Sequence, residues 1–292
     1  MKYSDTYSIS LMCKVLNVSR ASFYHYFYYS NSNNSLSDKL VLFSRILSIF
    51  YDSKMTYGAP RITAVLNKEG FIISSKTVGK YMKLLDITPI SSLNFPKKKN
   101  RMSVAEKSKI INLIKDIDVI FPNQVWTTDI TYIKTSNDGW VYLSSIIDLF
   151  SRKVIAWNVD YHMTKDLVIE TLNTAFKVRN NPIDVIIHSD KGSQYRSYAY
   201  RKLIVKHNCL YSYTSLNHSC DENANQESFH ASIKKEWLYN YCFNNIDDVK
   251  RACFEYIEGF YNTNRIHSSL GYVSPNNFEF NFFNTEPPIL SV

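Results

Sequence analysis

Apolar residues recur every three to four positions in the first third of the chain, a spacing that predicts helices. Two such stretches within residues 8–28 flank a break at residues 17–19. This pattern is typical of a helix-turn-helix, although a plain helical hairpin has the same pattern. Residues 37–85 contain three further amphipathic stretches, separated by Tyr57-Gly58-Ala59-Pro60 and by Glu69-Gly70. We therefore expect two small all-α modules here.

The pattern changes to strands from residue 123. Four strand-like runs follow, and a helix at residues 165–179 precedes the last of them. The runs are residues 125–133, 140–149, 152–160 and 184–188. A further helix, a strand and two more helices complete the predicted order. Three sequential strands followed by strand–helix alternation indicate an α/β fold, a ribonuclease H-like mixed sheet flanked by helices.

The length leaves room for more than one domain, since domains usually run about 100–200 residues and the chain has 292. A stretch rich in proline, serine and lysine separates the helical part from the strands. We predict five segments: a helix-turn-helix (1–35), a helical DNA-binding or linker domain (36–88), a basic linker (89–118), a core with a C-terminal helix (119–280) and a tail (281–292).

Charge is distributed unevenly along the chain. The net charge is +8, but residues 1–110 carry 17 basic and 6 acidic side chains, whereas the remainder carries 17 and 20. A basic first third fits a phosphate-binding arm on a carboxylate-bearing body, and it fits a merely solvated surface about equally well. Candidate DNA contacts lie at a helix start, on one helix face and in the linker. They are Arg20, Lys76, Lys80, Lys83, Lys97, Lys98 and Lys99.

The cysteines and the apolar runs indicate the compartment. The five cysteines include no CxxC pair, so free thiols in a reducing environment are expected. No secretory signal opens the sequence, and no apolar run approaches the ~20 residues that a membrane-spanning helix needs. We expect a cytoplasmic protein that does not enter a membrane.

Three acidic residues stand out by position. Asp129 lies in the middle of a predicted strand, Asp190 follows a buried-type strand, and Glu227 begins a helix. Each alone also fits an exposed or capping role. Together, on adjacent strands and a neighbouring helix, they would repel one another unless cations neutralised them, and their hard oxygen ligands suit Mg²⁺ or Mn²⁺. Lys234 follows Glu227 by seven residues, two helical turns along the same face, within reach of a phosphate.

Several motifs resemble the integrase core of OrfB-type insertion-sequence transposases, which belong to the retroviral integrase superfamily. The core motifs are WTTDIT (126–131), HSDKGSQY (188–195), NANQESF (223–229) and YNTNRIHSSLGY (261–272) followed by Ser274-Pro275. Upstream, LNVSR (16–20) and YGAPRI (57–62) resemble the helix-turn-helix and linker-domain signatures of the same family. The resemblance spans nearly the whole chain, with the motifs in the expected order.

The resemblance implies a DDE transposase, a polynucleotidyl transferase that cleaves element ends and transfers strands with Mg²⁺ or Mn²⁺, as a pair of ions. Asp129, Asp190 and Glu227 match the three catalytic acids and metal ligands, and Lys234 matches the basic residue that follows the glutamate. Arg61 and Arg265 lie in the family signatures and join the candidate DNA contacts, with support of the fold as the alternative for Arg265.

The resemblance also implies partners. We expect the element's terminal inverted repeats, target DNA and further copies of the chain assembled on DNA. Family members are often made as a frameshift fusion with an upstream frame that supplies another helix-turn-helix and a leucine zipper. Neither feature is visible in this sequence, so the chain is expected to be the downstream product alone, with the upstream protein as a possible fusion partner.

Two departures from the family pattern concern the third acid. Thirty-six residues separate Asp190 from Glu227, where thirty-five are usual, and the loop at residues 215–219 is the expected place for the extra one. Glu222 stands close enough to compete for the role. The roles of His188 and His267 stay open between structural support and contact with DNA.

Two other functions remain as alternatives. One is a stand-alone ribonuclease H-like nuclease, which hydrolyses without joining. The other is a DNA-binding regulator with an inactive catalytic domain. Intact acids argue against the regulator, and the basic N-terminal modules argue against a generic nuclease.

Overall fold

The computed structural model describes residues 8–16, 18–20, 34–92, 112–114, 117–214 and 223–284. The chain divides into two compact units, Met1–Thr88 and Pro89–Val292. Each unit has a hydrophobic interior of its own. In the described part of the chain, no helix combines the length and the apolar character needed to cross a membrane.

The first unit begins with helix α1, Ile9–Val15, whose start is capped by Ser8. The Ser8 hydroxyl accepts a hydrogen bond from the Leu11 amide at 3.3 Å, which satisfies one of the free N–H groups of the first turn. The second helix predicted for the helix-turn-helix falls on residues 21–28, which lie outside the described residues.

From residue 34 to residue 88 the unit contains three helices, as the apolar spacing predicts: α2 (Asn34–Asp52), α3 (Ala59–Lys68) and α4 (Ser75–Leu84). Ser74 caps α4 by accepting a hydrogen bond from the Thr77 amide at 3.2 Å. The helices bury one apolar stripe each, and removal of these side chains from water holds the unit together. The stripes include Ile46, Phe50, Ile62, Leu66 and Val78.

The second unit contains a five-stranded sheet with the order β3-β2-β1-β4-β5. Strands β1 to β3 are antiparallel, whereas β4 and β5 run parallel to β1. Their bounds are Val125–Lys134, Trp140–Asp148, Val154–Asp160, Ile186–Ser189 and Leu210–Tyr213. This mixed sheet confirms the predicted ribonuclease H-like order and makes β1 the central strand.

Within the described residues of this unit, five helices flank the sheet: α5 (Lys165–Val178), α6 (Tyr198–Lys206), α7 (Ala224–Glu236), α8 (Ile246–Tyr256) and α9 (Pro275–Asn284). Three of them follow β5, one more than the apolar spacing predicts. The main core lies between the sheet and α5, where Trp126 packs on Phe176 with ring centroids 5.3 Å apart.

Buried charges tie α9 to the sheet. The Arg179 guanidinium pairs with both carboxylate oxygens of Glu279, and its Nη2 lies 3.8 Å from Oδ2 of the fully buried Asp148. The Ser151 hydroxyl donates to Glu279 at 2.7 Å, and Lys153 Nζ lies 3.3 Å from the same carboxylate. Each buried charge therefore has a partner of opposite sign, as burial requires.

Candidate active site

Asp129 lies on the central strand, directly opposite Ser145 of β2. Its side chain is 24% exposed. Carboxylate Oδ1 accepts a hydrogen bond from the Ile130 amide at 2.8 Å, and Oδ2 lies 3.4 Å from Nδ1 of His230. The strand alternates in-out, so this position faces the same side of the sheet as Thr127 and Thr131. The Asp129 carboxylate is therefore partly exposed and held in a fixed position on the central strand of the sheet.

Asp190 follows β4, the parallel neighbour of β1. The register pairs Thr127 with His188, and two residues further along stand Asp129 on β1 and Asp190 directly after the end of β4. Oδ1 of Asp190 accepts a hydrogen bond from the Gly192 amide at 2.8 Å. The two predicted aspartates are therefore brought side by side.

Electrostatics show that the two carboxylates influence one another. Asp190 is exposed as a residue, yet surrounding protein removes enough water from its carboxyl group to raise its pKa. Repulsion from Asp129 raises the pKa further, while the Gly192 hydrogen bond lowers it. Two adjacent carboxylates of this kind are stabilised by a cation between them.

Glu227 lies in the first turn of α7 and is exposed. Among the described residues, no three His, Cys, Asp or Glu side chains lie close enough to hold one metal ion together. Asp129 and Asp190 are thus paired, but the Glu227 carboxylate is not grouped with them. Residues 215–222 lead into this helix and lie outside the described residues, so the predicted loop insertion and Glu222 have no described position.

Two buried polar side chains that the sequence analysis missed attach α7 to the sheet. Gln226 Nε2 donates to the Thr127 carbonyl at 2.6 Å and to the Ser145 carbonyl at 3.3 Å. The Ser145 hydroxyl lies 2.9 Å from Gln226 Oε1 and 3.1 Å from His230 Nε2. The sequence feature that could have predicted their burial is their i, i+4 spacing on the helix face that also carries Phe229 and Ile233.

Comparison with known proteins identifies the family of this chain. Family models described as "Integrase core domain" match residues 121–219 and 212–275, and one described as "HTH-like domain" matches residues 37–92. The chain is 35% identical over 282 residues to the Escherichia coli K12 "Transposase InsF for insertion sequence IS3A", covering 95% of this chain and 96% of that protein. The chain belongs to the family of insertion-sequence transposases.

Further relatives extend the comparison. The transposase is 35% identical over 243 residues to the "Transposase for insertion sequence element IS904" of Lactococcus lactis, covering 83% of this chain and 94% of that one. Among solved structures, the HTLV-2 integrase catalytic core domain in complex with magnesium matches with a TM-score of 0.43 at 18% identity, covering 55% of this chain and 98% of that chain.

Lys234 lies on α7 two turns after Glu227, as predicted. Its Nζ lies 4.6 Å from the centre of the Tyr132 ring, a cation–π distance. Tyr132 in turn meets Trp140 edge to face, with ring centroids 5.1 Å apart. Lys234 thus lies over Tyr132, near the C-terminal end of β1.

Arg265 is not placed as a DNA contact. Its side chain is 6% exposed and binds Glu236 at two points, with Nε donating at 2.8 Å and Nη2 at 2.7 Å. Tyr256 donates to the same carboxylate at 2.7 Å. A guanidinium committed to a buried carboxylate has no open face for phosphate, so the predicted contact is corrected to a structural ion pair.

Both histidines of the signature motifs contact neighbouring protein groups. His188 is fully buried, with Nδ1 2.9 Å from the Ser212 hydroxyl on β5. Such a ring joins two strands and cannot reach DNA. His267 packs edge-on against Tyr261 at 4.9 Å, and its ring nitrogens lie 3.3 and 3.5 Å from Arg265 Nη1. These contacts favour structural support over contact with DNA for His188, which is fully buried, whereas His267 is partly buried.

The predicted basic contacts of the first unit are mostly exposed. Lys76, Lys80 and Lys83 are exposed along α4, and Arg20 is exposed as well. Arg61 is half-buried, with its guanidinium 5.6 Å from the centre of the Tyr57 ring. Lys97, Lys98 and Lys99 lie outside the described residues.

Proposed function

We propose that this transposase cleaves the ends of its insertion sequence and joins them to target DNA, with Asp129, Asp190 and Glu227 as the acids that hold divalent metal. One observation carries the proposal: Asp129 on β1 lies beside Asp190 at the end of the parallel strand β4, and burial together with repulsion from Asp129 raises the pKa of Asp190. Such a pair is costly in a folded protein unless a cation compensates it.

The donor set fits a hard divalent cation. Carboxylate oxygens are the preferred protein ligands of Mg²⁺ and Mn²⁺. When bound, two such ions activate the attacking oxygen and stabilise the leaving oxygen of a phosphodiester. Asp129 and Asp190 supply the fixed half of the site, because amide hydrogen bonds already orient one oxygen of each.

The remaining predicted residues have supporting parts in this proposal. Glu227, in the first turn of α7, is the third acid of the triad. Lys234, two turns later on the same helix, contacts a DNA phosphate. The exposed lysines of α4 hold the DNA backbone, since this contact needs only accessible positive charge. Terminal inverted repeats and target DNA are the proposed substrates, and further copies of the chain the proposed partners on DNA.

The test is strand transfer in Mg²⁺ by the full chain, using DNA that carries the inverted repeats flanking its gene. Asp190→Asn keeps the shape of the side chain and removes its charge. We expect this variant to bind the end DNA as the wild type does and to give no joined product. Asp118→Asn is the matched control, because Asp118 is an exposed carboxylate outside the site.

Equal joining by Asp190→Asn and wild type would reject the metal-ligand role. Product that is cut but never joined, by the wild-type enzyme, would favour the stand-alone nuclease instead. Loss of activity in the Asp118→Asn control would show that the assay reports general damage rather than the site.

A further inference from the structure

We infer that His230 is a positioning residue that holds the Asp129 carboxylate in place and ties it to the helix carrying Glu227. This inference rests on the proposed function, since it concerns the same metal-binding acids. It starts from the register of β1 and β2, which sets Asp129 and Ser145 directly opposite one another. Side chains of directly opposed residues in an antiparallel pair lie on the same face, about 5 Å apart.

One imidazole ring bridges these two side chains. Nδ1 of His230 lies 3.4 Å from Asp129 Oδ2, and Nε2 lies 3.1 Å from the Ser145 hydroxyl. The ring is buried, with 9% of its side chain exposed. Contacts at both nitrogens fix the ring plane, so the nitrogen facing Asp129 cannot swing away without breaking the contact with Ser145.

Gln226 fixes the same helix one turn earlier. It is fully buried and is bonded to the Thr127 carbonyl, the Ser145 carbonyl and the Ser145 hydroxyl. Because Gln226 and His230 are four residues apart, both point from one face of α7 to the sheet. Two anchored points on one face determine the rotation of a helix about its axis.

The rotation of α7 decides where Glu227 points. Successive residues turn about 100° around a helix axis, so Glu227 lies on the flank of the face that Gln226 and His230 present to Asp129. Glu227 therefore belongs to a helical turn that Gln226 and His230 hold against β1, the strand that carries Asp129. His230 therefore links two of the three acids, which belong to elements about a hundred residues apart in sequence.

The two ring nitrogens can be separated by substitution. Asparagine at position 230 places an amide nitrogen near the position of Nδ1, facing Asp129, whereas glutamine places one near Nε2, facing Ser145. The probe is Mn²⁺ binding to the full chain without DNA, measured by calorimetry, with Mg²⁺-dependent strand transfer and thermal unfolding alongside. Partners of metal-ligating groups typically contribute about ten- to a hundredfold in affinity or activity.

We expect His230→Asn to stay within about threefold of wild type in both Mn²⁺ affinity and strand transfer, and His230→Gln to lose about tenfold or more in both. Ser145→Ala, which frees the far nitrogen, should fall between them. The opposite order, or equal loss in the asparagine and glutamine variants, overturns the assignment, because the nitrogen facing Asp129 would then not be what matters. Unchanged affinity in all three also overturns it.

Asp129→Asn distinguishes this inference from the proposed function. If Asp129→Asn abolishes Mn²⁺ binding while the His230 variants bind as wild type does, only the positioning role fails. If Asp129→Asn binds Mn²⁺ as wild type does, the proposed metal site itself fails.

Discussion

Gly192 lies against the carboxylate of Asp190. A Cβ atom at position 192 would lie 2.9 Å from Asp190 Oδ1 and 3.1 Å from Gln194 Oε1. Both atoms end mobile side chains, so the fold can yield, but the carboxylate must move to do so. The glycine is therefore required by the acid beside it rather than by the turn.

Gly192→Ala should accordingly lower strand transfer about tenfold or more while leaving the midpoint of thermal unfolding within a few degrees of wild type, since replacing glycine by alanine at a compatible backbone position stabilises by about 0.4–1 kcal/mol. Gly259→Ala is the control, because a Cβ there meets no atom within 4 Å. Full activity in Gly192→Ala would show that the position of Asp190 tolerates displacement.

The two candidate third acids should differ sharply. Glu227→Gln removes a charge next to the face of α7 that meets Asp129, and a metal ligand of this kind contributes several kcal/mol, which is more than about a hundredfold in strand transfer. Glu222→Gln should stay within about threefold of wild type. A larger loss in Glu222→Gln would mean that the triad contains Glu222 and that the alignment of the third acid with Glu227 is wrong.

The lysines of α4 should determine much of the salt dependence of DNA binding. Each phosphate neutralised contributes about 0.9 to the slope of log affinity against log salt, so changing Lys76, Lys80 and Lys83 to Gln together should reduce the slope by about 2.7. The measurement is fluorescence anisotropy with end DNA from 50 to 200 mM KCl. The matched control is a triple variant in which three exposed lysines of the second unit, Lys177, Lys206 and Lys250, are changed to Gln. Equal slopes in both triple variants would place the DNA elsewhere.

Arg265→Met should destabilise the protein and leave its salt dependence on DNA unchanged. Removing one partner of a buried ion pair costs about 3–5 kcal/mol, because Glu236 stays behind as an unpaired buried charge. Arg251→Ala, at an ion pair whose arginine side chain is 71% exposed, should cost less than about 1 kcal/mol. Urea unfolding measures both. A stable Arg265→Met protein with weakened DNA binding would instead support a phosphate contact by Arg265.

Glu279 should make the second unit sensitive to acid. Burial raises the pKa of Glu279, but Arg179, Ser151 and Lys153 outweigh that effect, so the pKa lies below its ordinary value. Its stabilisation is therefore present above the ordinary glutamate pKa of about 4.3 and is lost as the pH falls below it.

Urea unfolding at pH 7, 5 and 3.5 tests this dependence. Glu279→Gln should be less stable than wild type at pH 7 by about 1–3 kcal/mol, and the difference should shrink at pH 3.5. The exposed Glu255→Gln is the control. A constant difference across the three pH values would mean that Glu279 stabilises by packing rather than by charge.

The parts of this protein that the sequence predicted well are those set by local pattern. Alternating residues placed Asp129 on a strand, and the buried run before Asp190 placed it at a strand end beside the first. The anchoring of α7 was not predictable, because Gln226 binds groups on β1 and β2 that lie 99 and 81 residues away. Arg265 stayed open between DNA contact and support of the fold for the same reason: nothing local shows that Glu236, 29 residues earlier, faces it in the interior.

The buried charges that hold α9 also set an order of events during synthesis. Arg179 leaves the ribosome 100 residues before its partner Glu279, a delay of roughly 5–20 s at ordinary translation speeds. All five strands have been made by then, yet the ion-pair cluster of Asp148 and Arg179 lacks its second carboxylate until Glu279 is synthesised. During synthesis, the strands of the sheet are therefore all made before α9, the helix whose Glu279 completes the charge pairing with Arg179.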